Sequence, residues 1–299
     1  MKVSKLASPM IVLMLCLATA AGSARSMSFA TIDYPGATLT IAYGINPAGD
    51  IVGYYTDTLG STHGFVLRQG MFSSFDYPGA ATTYGYGINP RGEIVGSYRM
   101  PGETPLSYHG YFLKRDGTFV PIDNFPGHIN MIAQRILPDG ALLGCYHDYD
   151  TMASMHGFVL SNGQYSDVGV GASMNNGATP DLSLITGFFY DMAVNRWRSY
   201  VVQNGSFTPF DFPGASTSLT QAWDTNPSGA IVGQYIDSTG SHGFLLEDGQ
   251  FTSISFPGAT ATRAHGINPG GDIVGRYVDS SGKTHGFLAS RTQQHNQPN

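Results

Sequence analysis

Aspartate and histidine recur together at one place in a repeated pattern of this sequence. The pairs are Asp57 and His63, Asp148 and His156, Asp237 and His242, and Asp279 and His285. Repeated carboxylate and imidazole groups suit metal ligands or acid–base pairs. They suit equally well a hydrogen bond that holds one loop in each repeat. Because a single reaction does not need the same pair in several repeats, the structural interpretation is favoured, and no metal ligand is assigned.

Residues that break the pattern are better candidates for a binding site. The fourth repeat has Arg196-Trp197-Arg198 where other repeats have histidine, and the second tryptophan of the chain, Trp223, follows in the fifth. The third repeat adds His147. Aromatic rings and guanidinium groups offer stacking and forked hydrogen bonds that suit sugars or carboxylates. We therefore expect a ligand to contact Trp197, Trp223, Arg196, Arg198 and His147.

Other departures from the pattern leave an alternative open. The third repeat has Arg135-Ile136-Leu137 in place of Gly-Ile-Asn, and a Gly/Asn-rich stretch replaces the usual loop over 168–183 in the fourth. These changes mark either one asymmetric surface or the decay of redundant repeats. The Gly-x-Ser-x-Gly and His-Glu-x-x-His patterns of hydrolases do not occur. The sequence therefore indicates no catalytic residue and no cofactor.

The elements that must position these residues form a repeat of roughly 44 residues. Pro-Gly pairs begin at Pro35, Pro78, Pro126, Pro213 and Pro257, with one mark missing before Pro213. Each unit contains four short strands separated by turn signals such as Asn-Pro-x-Gly. Four strands in each of six units predict an all-β fold, a six-bladed β-propeller with four antiparallel strands per blade.

The N-terminal strand is predicted to close this ring. A Gly-x-aromatic step joins the third and fourth strands of five units, and the sixth unit lacks it because the chain ends in a polar tail. The missing aromatic residue is present at the other end of the chain as Phe29. We therefore expect the strand around Phe29 to complete the last blade, which leaves no exposed edge.

Two kinds of residue recur in the middle of the strands. A glycine lies in the second strand of every unit, followed two residues later by an aromatic residue, as in Gly53 and Tyr55. A second aromatic set, represented by Phe65, lies in the third strands. Mid-strand glycine weakens a strand, so its recurrence predicts a close approach of backbones or a bulge. The aromatic residues are predicted to form the core between blades.

The chain begins with the features of an export signal. Lys2 and Lys5 precede an apolar segment at 11–17 and small residues at 18–24. A signal peptide over 1–24 is predicted, then a propeller over 25–291 and a disordered polar tail over 292–299. A membrane anchor or a buried N-terminal strand is the alternative for 1–24. No later segment is apolar and long enough to cross a membrane.

The charge of the chain restricts the kinds of partner that it is expected to bind. Charged residues make up 12% of the 299 residues, the formal net charge is −6, and there is no run of lysine or arginine. This composition disfavours nucleic acid and anionic membranes as partners. After removal of the signal peptide Cys145 is the one remaining cysteine, so the mature chain has no internal disulfide. A secreted or periplasmic bacterial monomer is expected.

The repeat resembles a known type. The pattern Gly-Ile-Asn, Gly-Asp-Ile-Val-Gly and His-Gly-Phe is similar to the HAF-type extracellular repeat of exported bacterial proteins, in which His-Ala-Phe is the usual triplet. The resemblance covers essentially the whole mature chain and departs from it in having glycine within the triplet. It implies export and a repeat architecture, and it carries over no catalytic residue.

These observations favour a non-catalytic binding module with a glycan or peptide ligand of the cell envelope or exterior. A lyase or hydrolase acting on glycans or a lactone, with a His/Asp/Arg cluster near the third and fourth repeats, is the first alternative. A structural surface or matrix protein is the second. The Pro-Gly loops and the Asp–His loops vary in length and are predicted to share one face, which is where binding is expected.

Overall fold

The computed structural model describes residues 27–122, 125–128, 130–148, 154–215 and 219–291. The predicted signal peptide over 1–24 and the predicted tail over 292–299 lie outside these residues. The described residues form 24 β-strands and no α-helix. None of their elements is a helix that could span a bilayer.

The strands fall into four equivalent positions along the repeats. The first strands are β2 (Leu39–Ile45), β6 (Thr82–Ile88), β10 (Asn130–Ile136), β14 (Ser173–Ala178), β18 (Thr220–Thr225) and β22 (Ala261–Ile267). The second strands are β3 (Ile51–Thr56), β7 (Ile94–Arg99), β11 (Leu142–His147), β15 (Leu184–Asp191), β19 (Ile231–Asp237) and β23 (Ile273–Val278).

The remaining strands lie further along each repeat. The third strands are β4 (Thr62–Arg68), β8 (His109–Leu113), β12 (Met155–Ser161), β16 (Arg196–Gln203), β20 (Gly240–Glu247) and β24 (Thr284–Arg291). The fourth strands are β5 (Met71–Phe75), β9 (Phe119–Pro121), β13 (Gln164–Asp167), β17 (Ser206–Phe210), β21 (Gln250–Ile254) and, from the N-terminus, β1 (Met27–Ile32). Within each repeat, the four strands pair with one another in antiparallel order.

The N-terminal strand belongs to the sheet of the last repeat. β1 pairs with β24 from Met27 opposite Arg291 to Ile32 opposite Gly286. The ring of Phe29 lies 5.9 Å from that of Phe287. The first strands, called here the inner strands, pack each against the next, and β22 packs against β2. Strands from the two ends of the chain therefore share both a sheet and a packing interface.

The first turn of four repeats follows from the chemistry of Asn-Pro-x-Gly. The Oδ1 atom of Asn46 accepts hydrogen bonds from the backbone nitrogens of Ala48 at 3.0 Å and Asp50 at 2.9 Å. Gly49 has a φ of +82°, which is a left-handed conformation that glycine adopts without strain. The side chain and the glycine together reverse the chain between β2 and β3.

Aromatic side chains form the core, as predicted. The third-strand set is fully buried: Phe65, Tyr111, Phe158, Tyr200, Phe244 and Phe287. The aromatic residue that precedes a Pro-Gly pair stacks on the second-strand aromatic residue, and the ring centroids of Tyr34 and Tyr55 are 3.6 Å apart. The two rings are nearly parallel, and their contact removes apolar surface from water. The Asp-aromatic-Pro-Gly loops are thereby fixed to the sheets.

The recurring mid-strand glycines occupy close contacts, which confirms that prediction. A Cβ atom on Gly53 would lie 2.0 Å from the backbone oxygen of Ile41 and 2.8 Å from the ring of Phe65. The pairing of β2 with β3 shifts register between Ala42 and Gly44, and each inner strand has the equivalent bulge. A bulge turns the next side chain in a new direction. The residues before the turns therefore face the neighbouring inner strands.

Candidate functional site

The Asp–His pairs hold loops together. His156 bonds to Asp148 at 2.9 Å and His285 to Asp279 at 3.2 Å, which confirms the structural hydrogen bond in the third and sixth repeats. In the first and fifth repeats the equivalent contacts, between Nε2 of His63 and Asp57 and between Nε2 of His242 and Asp237, measure 3.5 and 3.4 Å.

The same histidines also reach the Pro-Gly loops. Nδ1 of His63 lies 2.9 Å from Asp76, and Nδ1 of His285 lies 2.9 Å from Asp33. The two kinds of loop therefore share one face, as predicted. Hydrogen bonds from Ser281 first, and then from His285, hold the pKa of the Asp279 carboxyl below its usual range. No cluster of three or more potential metal ligands occurs among the described side chains.

The predicted arginines of the fourth repeat are engaged with carboxylates. The two terminal nitrogens of Arg196 donate to Asp211 at 2.8 and 2.9 Å. Arg198 donates to Asp211 at 2.9 Å and to Asp191 at 2.8 Å. The hydrogen bond from Arg198 is the main cause of the lowered pKa of Asp191. Both guanidinium groups thus fasten the end of β16 to the neighbouring loop.

The two tryptophans lie on either side of one phenylalanine. The ring of Phe188 is 5.4 Å from that of Trp197 and 5.3 Å from that of Trp223. Both tryptophans are half-buried against a cluster that includes Cys145. His147 is buried, and its Nε2 lies 3.5 Å from the sulfur of Cys145. The structure therefore brings Trp197 and Trp223 together, whereas His147 lies beneath the surface.

A second set of variable positions lies where sequence reasoning assigned no site. The residue between the mid-strand glycine and the aromatic residue differs in every repeat: Tyr54, Ser97, Cys145, Phe188, Gln234 and Arg276. Each faces a cross-strand partner on an inner strand: Ile41, Tyr84, Ile132, Met174, Gln221 and Arg263. We call these facing residues the variable lining. Its sequence signal is variation at one position between two positions that every repeat keeps.

Two arginines stand opposite each other in this lining. Arg263 in β22 and Arg276 in β23 are register partners, and both are half-buried. Among the residues that the structure describes, neither guanidinium has a carboxylate partner or a hydrogen-bond acceptor. Burial first, and the charge of Arg276 second, lower the pKa of Arg263 to about 10. Arg263 therefore remains cationic at neutral pH, and like charges placed opposite each other in this way repel.

Tyrosines lie next to these arginines in what we call the tyrosine cluster, composed of Tyr43, Tyr54, Tyr84 and Tyr86. The ring centroids of Tyr54 and Tyr84 are 4.9 Å apart and those of Tyr43 and Tyr54 are 6.0 Å apart. Burial raises the pKa of Tyr43, and the charge of Arg276 acts against that rise. The ring of Trp223 is 5.9 Å from that of Tyr43, so aromatic contacts run continuously from the tyrosine cluster to Trp197.

The residues two positions further along the inner strands form a layer beneath this lining. This inner layer consists of Tyr43, Tyr86, Gln134, Asn176, Trp223 and His265. In the described part of the chain, Nε2 of Gln134, Oδ1 of Asn176 and Nε1 of Trp223 are buried without a hydrogen-bond partner. Buried polar atoms ordinarily have a partner. These three atoms are therefore available to bound water or to a ligand.

Arg135 lies on the side of the inner layer that faces away from Arg263 and Arg276. Its Nη1 donates to the backbone oxygens of Tyr43 at 3.4 Å and Tyr86 at 2.8 Å, and its Nη2 donates to those of Trp223 at 3.2 Å and His265. Its Nε forms an ion pair with Asp224 at 3.0 Å. The departure of the third repeat from Gly-Ile-Asn therefore supplies a cation that binds four other inner strands.

A small cavity lies beyond Arg135, among the first turns. It has a volume of about 90 Å³, and prolines of all six repeats line it: Pro47, Pro90, Pro138, Pro180, Pro227 and Pro269. Arg135 and Asp224 also contribute to its wall. The cavity and the arginine pair therefore lie at opposite ends of the inner strands, separated by the inner layer.

Comparisons with known proteins give the fold. No protein-family profile matches the chain, and no curated protein matches it in sequence. A gluconolactonase from Xanthomonas campestris is similar in structure at 12% identity, over 85% of this chain and 87% of that chain, with a TM-score of 0.53. A lectin from Aleuria aurantia, solved with Fucα1-6GlcNAc, is similar at 11% identity over 84% and 91%, with a TM-score of 0.52.

A third similar structure is itself described as a β-propeller domain. The β-propeller domain of the Trilobed protease from Pyrococcus furiosus is similar at 8% identity over 87% of this chain and 100% of that chain, with a TM-score of 0.52. At such low identities the likeness is one of fold and assigns no activity. This chain is therefore a β-propeller, built from repeated four-stranded sheets.

Proposed function

We propose that this protein is an exported six-bladed β-propeller, closed by β1, that binds a glycan without transforming it. The 24 strands fit six blades, and the pairing of β1 with β24 supports closure. The resemblance to HAF-type repeats and the signal-like N-terminus support export to the periplasm or the cell exterior. A lectin of the same fold, solved with a fucosyl disaccharide, illustrates that such a scaffold accommodates sugars.

The observation that carries the proposal is the run of half-buried aromatic side chains at one end of the inner strands. It extends from Trp197 through Trp223 and Tyr43 to Tyr54 and Tyr84. Sugar rings have apolar C–H faces that pack on aromatic faces, while their hydroxyls need a few polar partners. Among the described residues, the hydroxyls of Tyr54 and Tyr84 have no protein partner, so they are available to such a ligand.

The same region offers little for catalysis. Burial raises the pKa of the Cys145 thiol well above its usual range, so this sulfur remains protonated and is a poor nucleophile. His147 is buried, and the repeated loop histidines are engaged with aspartates. These features support binding over the lyase or hydrolase alternative.

A glycan and peptidoglycan array probed with the mature chain tests the proposal. Binding to a restricted group of glycans, with the glycans released unchanged, is the expected result. A folded preparation that binds none of the glycans, or one that cleaves them, contradicts it. Arg115→Gln provides a matched control, because Arg115 is exposed and contacts the backbone of Arg91 rather than the aromatic run.

A further inference from the structure

We propose that Arg263 and Arg276 bind the carboxylate of an acidic sugar residue, a uronic acid, within the bound glycan. This inference rests on the glycan-binding function proposed above and specifies its ligand class. It assigns a new anion subsite to the sixth repeat, at the end of the inner strands that carries the tyrosine cluster.

The first argument is geometric. Register partners on antiparallel strands project from the same face with Cβ atoms about 5 Å apart. Two guanidinium groups placed in this way by Arg263 and Arg276 present a broad set of donors to one small anion. Planar guanidinium groups match the two oxygens of a carboxylate better than a lysine ammonium does.

The second argument is that this charge is uncompensated. Other arginines of the protein meet carboxylates at close range, including Arg68, Arg135, Arg196, Arg198 and Arg291. Arg263 and Arg276 meet none among the described residues and face each other instead. Like charges directly opposite each other on a sheet destabilise it. Local conflicts of this kind concentrate at functional sites, where a ligand resolves them.

The third argument comes from the neighbouring repeats. At the equivalent position of the fifth repeat, Gln234 donates a hydrogen bond to its cross-strand partner Gln221, so the two facing side chains are neutral and attract each other. At the equivalent position of the first repeat, Tyr54 faces Ile41. The same scaffold position therefore accommodates neutral pairs, and the cationic pair is a particular feature of the sixth repeat.

The surroundings favour a sugar acid over an acidic peptide. The ring of Tyr43 stacks at 4.3 Å on that of His265, which follows Arg263 by two residues in β22. The ring of Tyr54 lies 6.0 Å from that of Tyr43, so both tyrosines are close to the arginine pair. A uronic acid joins a carboxylate to a ring with an apolar face. It therefore satisfies the guanidinium groups and the aromatic faces together, whereas a glutamate side chain supplies only the carboxylate.

Calorimetric titration with two matched probes tests the assignment. The probes are an oligogalacturonate and its methyl ester, which differ in charge but not in the sugar backbone. The acid is expected to bind the wild type at least tenfold more tightly than the ester. Arg276→Gln and Arg263→Gln should each weaken binding of the acid about tenfold or more, as expected for hydrogen bonds to a charged group, and leave the ester unchanged. Arg115→Gln should change neither.

The outcomes separate the two proposals. If acid and ester bind equally and the arginine variants bind like the wild type, the anion subsite is wrong and the binding function stands. If neither probe binds and no glycan on the array is bound, the proposed binding function is wrong. If an oligoglutamate peptide binds as tightly as the oligogalacturonate and with the same dependence on Arg276, the sugar assignment is wrong.

Thermal melting provides a readout that needs no glycan. Millimolar sulfate, exchanged for chloride at constant ionic strength, should raise the melting temperature of the wild type, because a ligand that binds the folded state stabilises it. Arg276→Gln should lose most of this rise, and Arg115→Gln should keep it. Equal rises in all three proteins would overturn the anion subsite.

Discussion

The Nε atom of Arg135 and the Oδ1 atom of Asp224 lie 3.0 Å apart, and both side chains are buried. One residue comes from the third repeat and the other from the fifth, and each replaces the glycine that all four other repeats keep before the turn. The pair therefore explains two departures from the repeat as one interaction.

Arg135→Met is expected to destabilise the protein by about 3–5 kcal/mol, because it leaves the Asp224 carboxylate buried without its partner and removes donors from four backbone oxygens. Urea unfolding measures this change. Asp224→Asn should cost less, since a neutral amide remains able to accept a hydrogen bond. A loss below about 1 kcal/mol for Arg135→Met would contradict the importance of this cation.

Acid sensitivity is expected from His265. Burial first, and the charge of Arg276 second, lower the pKa of His265 well below its usual value, so the imidazole is neutral in the folded protein. The unfolded state takes up a proton below about pH 6.5, and the folded state does not, so stability falls as the pH drops below that value. The slope from this residue is about 1.4 kcal/mol per pH unit.

Denaturant unfolding at pH 7.5, 6.5 and 5.5 measures this slope. His265→Gln should reduce it by about one proton equivalent, and the control variant His242→Ala, in β20, should leave the contribution of His265 intact. An unchanged slope in His265→Gln would contradict the buried neutral state.

Trp197→Ala is expected to weaken glycan binding by about 1–3 kcal/mol, in the range of aromatic anchors at interfaces. Its effect on folding should be small, because the indole is half-buried and packs mainly on Phe188 and Tyr190. Calorimetry with an array hit gives the affinity, and thermal melting gives the stability.

His242→Ala is the matched comparison for Trp197→Ala. This histidine contacts Thr239 at 2.8 Å and Ser255 at 3.1 Å, so its loss should cost about 1 kcal/mol of stability and leave affinity unchanged. The reverse pattern, with His242→Ala abolishing binding and Trp197→Ala unfolding the protein, would move the site to the repeated histidines.

Removal of residues 27–32 from the mature chain should lower the melting temperature by about 10 °C and promote aggregation. The deletion takes away the buried Ile32 and the half-buried Phe29, worth roughly 5 kcal/mol together, and exposes the edge of β24. Scanning calorimetry and light scattering measure both effects. Removal of 293–299 should have little effect, and equal tolerance of the two truncations would contradict closure by β1.

Local features of the fold could be predicted because their causes are local in the sequence. Asn-Pro-x-Gly turns depend on residues such as Asn46 and Gly49 within one short segment. The close approach at Gly53 and the burial of Phe65 recur with the repeat period, so repetition itself reveals them. Composition and spacing are sufficient for such features.

The candidate site was less accessible to sequence reasoning, because its contacts join distant repeats. Trp197 and Trp223 were named from their asymmetry, and the structure places both against Phe188. The engagement of Arg198 by Asp191 and Asp211 depends on strand register, which the sequence did not specify. Arg263 and Arg276 become a pair only through the bulged pairing of two strands.

The contacts of Arg135 bear on how the number of repeats in this chain can change in evolution. Units of a repeat protein ordinarily contact only their neighbours, so copies can be gained or lost with small effect on the rest. Here one guanidinium from the third repeat binds the backbones of the first, second, fifth and sixth. Insertion or loss of a unit would separate those oxygens from it. We therefore expect a change in the number of repeats to cost this protein more stability than it costs a repeat protein whose units contact only their neighbours.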